Sequence, residues 1–343
     1  MKQKYKIQAF SILFMALVLA IGTTGCLKNL PSDRESIATN TQFTQTVYTP
    51  VLGRNTLFSN NFSVGNSSQP LTFKIINMRN RDGSAAPELT ENFPVQVWTQ
   101  AYLGDEKSIA EIEAKRTIEN HPLFEIREHS GQFLMWSAAL STFVKTQPDS
   151  GYVFDVEMSN SGGRRYFRDF KLMPLKERSF EPSTFNAITG LSQHTGLSPS
   201  DVQNIIGAKT NRGLGGDDIE VQFHKVGEGN SLKFKFVDSL YNPIDPALFN
   251  LTKWDKLVHG FDMEKTNAYV KYTVAYPVPL IAYKTQYTNA AGDNAHVTFS
   301  YDRQAYGNIR SVSNLNLDFA IYEKGDWEIT FWFKTESPKF IND

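Results

Sequence analysis

Residues 151–172 read GYVFDVEMSNSGGRRYFRDFKL, and this stretch carries the clearest structural signal in the chain. From Tyr152 to Met158 apolar side chains alternate with polar ones, which is the period of a β-strand with one buried and one solvated face. The NSGG segment at residues 160–163 favours a turn, and residues 164–172 return as a second strand. The stretch therefore predicts an antiparallel hairpin with Asp155 and Glu157 on its solvated face.

The same alternation recurs on both sides of this hairpin. In the first half it predicts strands around Phe73 and Val95. The second half contains six further runs, at residues 221–223, 232–236, 270–276, 297–301, 315–321 and 329–333. Alternating runs separated by turn residues are typical of antiparallel sandwiches. We therefore predict a mainly β fold with two antiparallel β-sandwich domains, immunoglobulin-like or jelly-roll-like, and a few short helices.

Helical spacing is limited to three segments. Ile109 and Ile112, amid charged residues, predict an amphipathic surface helix within residues 105–120. Ser198 followed by proline predicts a second short helix, because serine caps helices and proline suits the first helical position. Asp245 opens a third helical passage, which carries Trp254.

A chain of 343 residues has the size of about two domains. The segment after residue 174 is rich in glycine and proline, so we place the domain boundary there. The predicted division is a signal peptide at 1–25, a flexible tether at 26–61, an N-terminal β-sandwich-like domain at 62–175, a loop-rich connector at 176–218 and a C-terminal β-sandwich-like domain at 219–343.

The N-terminus has the layout of a bacterial lipoprotein signal. Lysines precede an apolar run at residues 7–21, and small residues then lead to Cys26, the only cysteine. Such an order predicts cleavage between Gly25 and Cys26 and lipidation of Cys26 with fatty acids such as palmitate, which would anchor the exported chain to a membrane. Thr23 departs from the aliphatic residue usual at that position. The alternative is an ordinary cleaved signal in which Cys26 is incidental.

Composition removes several classes of function. The net charge of −1 provides no basic face for nucleic acid, and a single cysteine leaves no structural disulfide. The histidines are scattered without metal-ligand spacing, and neither a nucleophile elbow nor a phosphate loop is present. We therefore predict no cofactor and no catalytic residue.

Carboxylates leave two alternatives open. Asp155 and Glu157, two apart on one strand, have a spacing that glycoside hydrolysis or calcium binding could use. Asp217 and Asp218, after a glycine loop, are a second weak calcium candidate. The alternative is a solvated strand face for the first pair and a solvated turn for the second, and the apolar residues interleaved with Asp155 and Glu157 favour it.

Aromatic placement is more informative than the charges. Aromatic residues make up 13% of the chain, which suits both β-sheets and carbohydrate binding. Trp332 lies opposite the apolar face of its strand, and Trp98 with Tyr102 lie opposite Val95. A flat ring on a polar face can stack on a sugar, so we take Trp332, Trp98, Tyr102 and Trp254 as ligand-binding candidates. The alternative is packing against another loop or domain.

Three stretches, PVLGRNT at 50–56, FEIREHSG at 124–131 and GYVFDVE with SNSGG at 151–163, resemble a family of Bacteroidota lipoproteins that carries a domain-of-unknown-function label. Its layout is similar to that of surface lipoproteins of SusC/SusD-type nutrient-uptake systems. The resemblance implies a location at the outer membrane, on the cell surface, and capture of a glycan or other nutrient beside a TonB-dependent transporter.

We therefore expect an outer-membrane-anchored accessory or binding lipoprotein, with a polysaccharide ligand, a SusC/SusD-type transporter complex as partner and no nucleic-acid ligand. A carbohydrate-active hydrolase and a structural or adhesive surface protein are the alternatives. Loss of turnover on replacing Asp155 or Glu157 would favour the hydrolase, and co-purification with a transporter would favour a role in protein contacts.

Overall fold

The computed structural model describes residues 36–193 and 196–343, so Cys26 and the predicted signal peptide lie outside the described residues. The described chain is mainly β, as predicted. The first half contains β1 (Gln42–Phe43), β2 (Val47–Tyr48), β3 (Thr56–Phe58), β4 (Phe62–Ser63), β5 (Thr72–Asn80), β6 (Asn92–Trp98), β7 (Arg116–Pro122), β8 (Phe124–Ile126), β9 (Phe133–Met135), β10 (Tyr152–Asn160) and β11 (Gly163–Leu172).

The second half contains β12 (Phe180–Glu181), β13 (Asp201–Gln203), β14 (Ile219–Gly227), β15 (Ser231–Val237), β16 (Gly260–Lys265), β17 (Val270–Val274), β18 (Ala295–Ala305), β19 (Ile309–Ile321) and β20 (Asp326–Phe333). The α-helices are Pro87–Thr90 and Ile109–Glu113, and short 3-10 helices lie at Gly216–Asp218, Pro246–Leu248, Trp254–Lys256 and Tyr306–Asn308. In the described ranges no helix is long and apolar enough to span a membrane.

The predicted hairpin is confirmed. β10 and β11 pair antiparallel from Tyr152 opposite Leu172 to Asn160 opposite Gly163, and they form the middle of the sheet β2-β11-β10-β5. The apolar side chains at 152, 154, 156 and 158 are all buried, because this face packs on a phenylalanine-rich core.

The prediction that Asp155 lies on a solvated face is wrong, because the residue is only 6% exposed. Its Oδ1 accepts a hydrogen bond from the Asp169 backbone N–H and its Oδ2 accepts one from Asn77 Nδ2, each at 2.9 Å. Asn77 and Asp169 both adopt positive φ, at 53° and 60°, and the ladders on both sides of β10 shift register here. The buried carboxylate thus joins irregular positions in both neighbouring strands.

The predicted tether at 26–61 also needs correction. Residues 42–58 form β1 to β3, and Phe43, Tyr48 and Leu52 are buried in the N-terminal core. Their aromatic rings pack edge to face against Phe133 and Phe170, which explains why a segment with polar composition is ordered.

All six alternating runs of the second half form strands with buried apolar faces. The sheet β14-β20-β15-β17-β16 encloses the second core together with β18, β19 and the short strands β12 and β13. This sheet is mixed, because β20 lies between β14 and β15 and pairs in parallel with β15.

Of the three helix predictions, the one within 105–120 is wrong in part and the one after Ser198 is wrong. The helix within 105–120 covers only Ile109–Glu113, and β7 pairs along its whole length with β6. The segment after Ser198 is not helical, because β13 pairs with β19. In both places a partner strand supplies backbone hydrogen bonds, and this tertiary pairing outweighs a weak local preference for helix. Only the 3-10 helices at Pro246–Leu248 and Trp254–Lys256 match the helical passage expected after Asp245.

Candidate functional site

The outer face of the five-stranded sheet carries the aromatic residue that the sequence singled out. Phe331 and Phe333 point into the core, so Trp332 points outward with Glu328 and Thr330. Trp332 lies opposite Glu220 of β14 and Val237 of β15. Its indole ring is half-buried rather than free.

Tyr241 covers one face of Trp332. The two ring centroids are 4.7 Å apart and the ring planes are inclined by 24°, which is a stacked arrangement. Tyr241 itself is 52% exposed, so its outer face is open to solvent, and Trp332 lies partly exposed beneath it. We call Tyr241 and Trp332 the aromatic platform.

The turn after β15 holds Tyr241 in place. Asp238 Oδ1 accepts hydrogen bonds from the backbone N–H groups of Leu240 at 2.8 Å and Asn242 at 2.9 Å. Hydrogen bonds, first of all from the Asn242 side chain, lower the pKa of Asp238 and keep it ionised. Within this turn Tyr241 adopts a φ of 64°, which costs about 1–2 kcal/mol for a residue with a side chain. Residues with such a strained backbone cluster at functional sites.

Polar side chains of β14 line the platform. Gln222 Nε2 donates to Tyr241 Oη at 3.3 Å and to Glu220 Oε1 at 3.0 Å. Among the described residues, neither the second oxygen of Glu220, which lies near Gly196, nor the carbonyl oxygen of the Gln222 amide accepts a hydrogen bond, so both can accept from a ligand. An aromatic surface bordered by an amide and a carboxylate is the chemistry that recognises sugars, because the rings contact CH groups and the polar atoms bind hydroxyl groups.

A charged strip continues from the platform along the sheet. Glu328 accepts from Lys235 Nζ at 2.9 Å and from Lys233 Nζ at 3.3 Å. Burial raises the pKa of Glu328, but the hydrogen bond and charge of Lys235, together with Lys233, outweigh burial and lower it. Glu328 is thus held ionised between two lysines, which leaves the strip with a net positive charge.

Trp98 and Tyr102 lie elsewhere, where the first half of the chain meets the second. They pack with Ile112, Ala275 and Leu280 in a third, small core cluster. Tyr102 is buried, and burial with the nearby charge of Glu106 raises its pKa. The guanidinium of Arg116 lies 5.2 Å from the Trp98 ring. Both candidates therefore pack against another part of the chain, which is the alternative that the sequence left open.

The Tyr102 hydroxyl lies 2.5 Å from His259 Nδ1, while His259 Nε2 lies 2.9 Å from the Glu106 carbonyl oxygen. In a neutral imidazole Nε2 donates to that carbonyl, so Tyr102 donates to Nδ1. The adjoining apolar cavity, lined in part by Leu280 and Tyr287, has a volume of about 20 Å³. This is room for about one water molecule and not for a sugar.

Trp254 is 8% exposed and belongs to the C-terminal core, so it offers no face to a surface ligand. Its position in the short helix Trp254–Lys256 turns the ring onto Phe299, with centroids 5.6 Å apart. A loop tryptophan is as easily a core residue as a surface one, and sequence alone does not separate them.

Three of the four carboxylate candidates, Asp155, Glu157 and Asp218, are engaged by other protein groups. Asp218 pairs with Arg212, with Nη2 to Oδ1 at 2.5 Å, and this contact with further hydrogen bonds lowers its pKa to about 2. Glu157 Oε1 lies 3.7 Å from Arg164 Nε, and Asp155 is satisfied as described above. Asp217 lies in the turn Gly216–Asp218. Over residues 36–193 and 196–343 no three His, Cys, Asp or Glu side chains gather closely enough to hold a metal ion.

Sequence reasoning missed Tyr241 and Gln222. The turn itself was readable, because Asp238, Asn242 and Pro243 are residues that favour turns. That the turn folds back over the outer face of β20 depends on β20 pairing beside β15, almost a hundred residues away in sequence.

Comparison with known proteins gives one match. A sequence family described as "Domain of unknown function (DUF5007)" matches residues 62–342. Neither the curated proteins nor the solved structures contain a match to the chain.

Proposed function

The chain belongs to the DUF5007 family, and we propose that it is a lipid-anchored binding protein that captures a glycan on the aromatic platform of its C-terminal sheet. The stacking of Tyr241 on Trp332 is the observation that carries this proposal. The positive φ of Tyr241 strains the backbone, and this strain keeps a partly exposed ring over Trp332 and beside Gln222. Strained residues cluster at ligand-binding sites, so the strain supports a contact between this ring and a ligand.

Several features support a neutral or weakly charged saccharide as the ligand. The outer face of Tyr241 is exposed rather than enclosed, which suits an extended polysaccharide better than a small metabolite. Glu220 and Gln222 supply acceptors for hydroxyl groups beside the rings. Ring stacking tolerates many sugars, so the polar border would set the preference.

Affinity electrophoresis against a panel of plant, host and microbial polysaccharides tests the glycan proposal. We expect at least one polysaccharide to retard the protein and Tyr241→Asn to remove the retardation. Asparagine tolerates positive φ, so this variant deletes the ring without straining the turn. Retardation of both proteins to the same extent, or of neither, would contradict the proposal.

Anchoring through Cys26 is supported by the order of basic, apolar and small residues before the only cysteine. Several acyl chains would give stable membrane attachment, since each buried methylene contributes about 0.8 kcal/mol. Metabolic labelling with an alkynyl fatty acid tests this point. We expect label on the wild type and on Thr24→Ser, and none on Cys26→Ser, which should move to the soluble fraction. Label that persists in Cys26→Ser would refute it.

A SusC/SusD-type transporter is the proposed partner at the outer membrane. The support is the resemblance to Bacteroidota surface lipoproteins together with the anchor, and the partner would receive the captured glycan. Mild detergent extraction and affinity purification of the tagged, full-length protein from its own bacterium should recover a TonB-dependent transporter. If no TonB-dependent transporter co-purifies from cells grown on the recognised glycan, this part of the proposal is wrong.

A further inference from the structure

A second, separate cavity lies where the loop-rich connector meets the N-terminal half. It has a volume of about 290 Å³ and is lined by Lys176, Glu177, Arg178, Phe185 and Asn186, among others. We call it the connector cleft. This volume is close to the lower end of ligand-binding cavities, about 300 Å³, so a ligand of the connector cleft would be as small as a monosaccharide.

Lys176 is the free charge of the connector cleft. In the part of the chain that the structure describes, its ammonium makes no hydrogen bond and no ion pair. Glu177 lies next to it but is occupied, because its two oxygens accept from Ser141 N–H at 3.1 Å and from Ser141 Oγ at 2.8 Å. Lys176 Nζ lies 3.7 Å from the point that a Cβ on Gly190 would occupy, so the glycine leaves space around the ammonium.

Arg178 adds a second positive charge that is only partly compensated. Its Nη2 lies 2.5 Å from Glu181 Oε1, and Arg54 Nη2 lies 2.9 Å from the same oxygen. One carboxylate therefore serves two guanidinium groups. The Nε atoms of both arginines are buried and have no hydrogen-bond partner among the described residues. With Lys176 and Glu177 included, the cations exceed the carboxylates by one.

The lining of the connector cleft also includes an exposed aromatic side chain. Phe185 is 43% exposed, and the loop that carries it is closed by hydrogen bonds to Asn186. Asn186 Oδ1 accepts from the backbone N–H groups of Ile188 at 2.9 Å and Thr189 at 3.0 Å, and Asn186 N donates to the Leu191 carbonyl at 2.9 Å. The loop thus contributes an apolar ring to the cavity that Lys176, unpaired among the described residues, also lines.

We propose that the connector cleft binds a small sugar that carries one negative charge, such as a hexuronic acid. The carboxylate pairs with Lys176 and is attracted by the excess charge around Arg178, and the apolar face of the sugar ring lies on Phe185. This site is separate from the aromatic platform and does not depend on the function proposed for it.

Calorimetry or saturation-transfer NMR on the mature protein, in about 20 mM salt, tests the proposal with glucuronic acid, glucose and glucose 6-sulfate as probes. We expect glucuronic acid to bind with a dissociation constant of about 1 mM or lower, and glucose at least tenfold more weakly. Raising the salt to about 500 mM should weaken binding, because the charges are partly exposed. Tighter binding of the sulfate than of the carboxylate would identify sulfated sugars as the source of the negative charge.

Variants assign the site. Lys176→Met and Phe185→Ala should each reduce affinity for glucuronic acid at least tenfold. Lys74→Met is the matched control, because it removes the same charge outside the connector cleft. Lys74 is exposed on β5, and β5 and β2 are the two edges of their sheet. Tyr241→Asn should leave this affinity unchanged, which separates the connector cleft from the platform. Failure of all acid sugars to bind, equal binding of glucose, or unchanged affinity in Lys176→Met would overturn the proposal.

Discussion

Tyr241 stacks on Trp332 with ring centroids 4.7 Å apart, although Tyr241 must adopt a φ of 64° to do so. The turn contributes the outer ring and the sheet contributes the inner one, so the two are brought together by a short loop after β15 and a strand that follows much later. The turn therefore determines whether the platform exists, and the sheet determines where it lies.

Two replacements of Tyr241 should distinguish the contribution of its ring to glycan affinity from the effect of its backbone conformation on stability. Tyr241→Phe keeps the ring and loses only the hydrogen bond from Gln222, so glycan affinity should change by no more than about twofold to fivefold. Tyr241→Asn should lose at least tenfold, about 1.4 kcal/mol, while its unfolding midpoint stays equal or rises. Isothermal titration and chemical denaturation measure the two quantities. Tyr306→Asn, at a fully exposed tyrosine, is the control that should change neither.

Asp238 should act as a positioning residue for the platform. Asp238→Ala removes the acceptor for Leu240 N–H and Asn242 N–H, and we expect a loss of about 1–2 kcal/mol in unfolding free energy. Glycan affinity should fall several-fold because Tyr241 is no longer held over Trp332. Asp238→Asn keeps one side-chain oxygen and should recover most of the affinity. If it binds as poorly as Asp238→Ala, the carboxylate has a role beyond holding the turn.

Gly151 should be essential to the central hairpin. It has a φ of 73°, and a Cβ at this position would lie 2.4 Å from the Leu172 carbonyl oxygen, at the end of the β10–β11 ladder. Gly151→Ala should therefore lower the unfolding free energy by at least about 2 kcal/mol. Gly163→Ala is the matched control, since no atom lies within 4 Å of its Cβ position. Equal stability of the two variants would contradict the close contact.

Glu106 should make the free energy of unfolding depend on pH in the acid range. Its side chain is 2% exposed, it accepts from Leu103 N–H and Gly104 N–H at 3.0 Å each, and it pairs with Lys115. Burial raises its pKa, but the hydrogen bonds from Lys115 and the backbone outweigh burial and lower the pKa from its ordinary 4.5 to about 2.

Because the folded pKa of Glu106 lies below the unfolded one, its contribution is fully present above pH 4.5 and is lost as the pH falls towards 2. Glu106→Gln should lower the unfolding free energy at pH 7 by about 2 kcal/mol. The difference between variant and wild type should shrink between pH 4.5 and pH 2. Urea denaturation at several pH values measures this, and a constant difference across that window would refute the assignment.

The central hairpin shows how far local pattern reaches. Alternation from Tyr152 to Met158 specified the strand, its partner and its buried face, because side chains in a strand alternate strictly between two sides. The same rule overestimated the exposure of Asp155, because Asn77 and Asp169, where the neighbouring ladders shift register, hydrogen-bond to its carboxylate and cover it. Such shifts depend on both neighbouring strands and leave no trace in the alternation of one.

The sequence by itself determined the mainly β fold and the outward direction of Trp332. It also carried the signal for the anchor at Cys26, which lies outside the described residues. Each of these depends on neighbours only a few residues away. Tertiary structure alone decided that Tyr241 covers Trp332, that Trp254 is in the core and that Lys176 and Phe185 line one cleft. The physical reason is that these contacts arise from strand order and from loops folding over sheets, which join residues far apart in the chain.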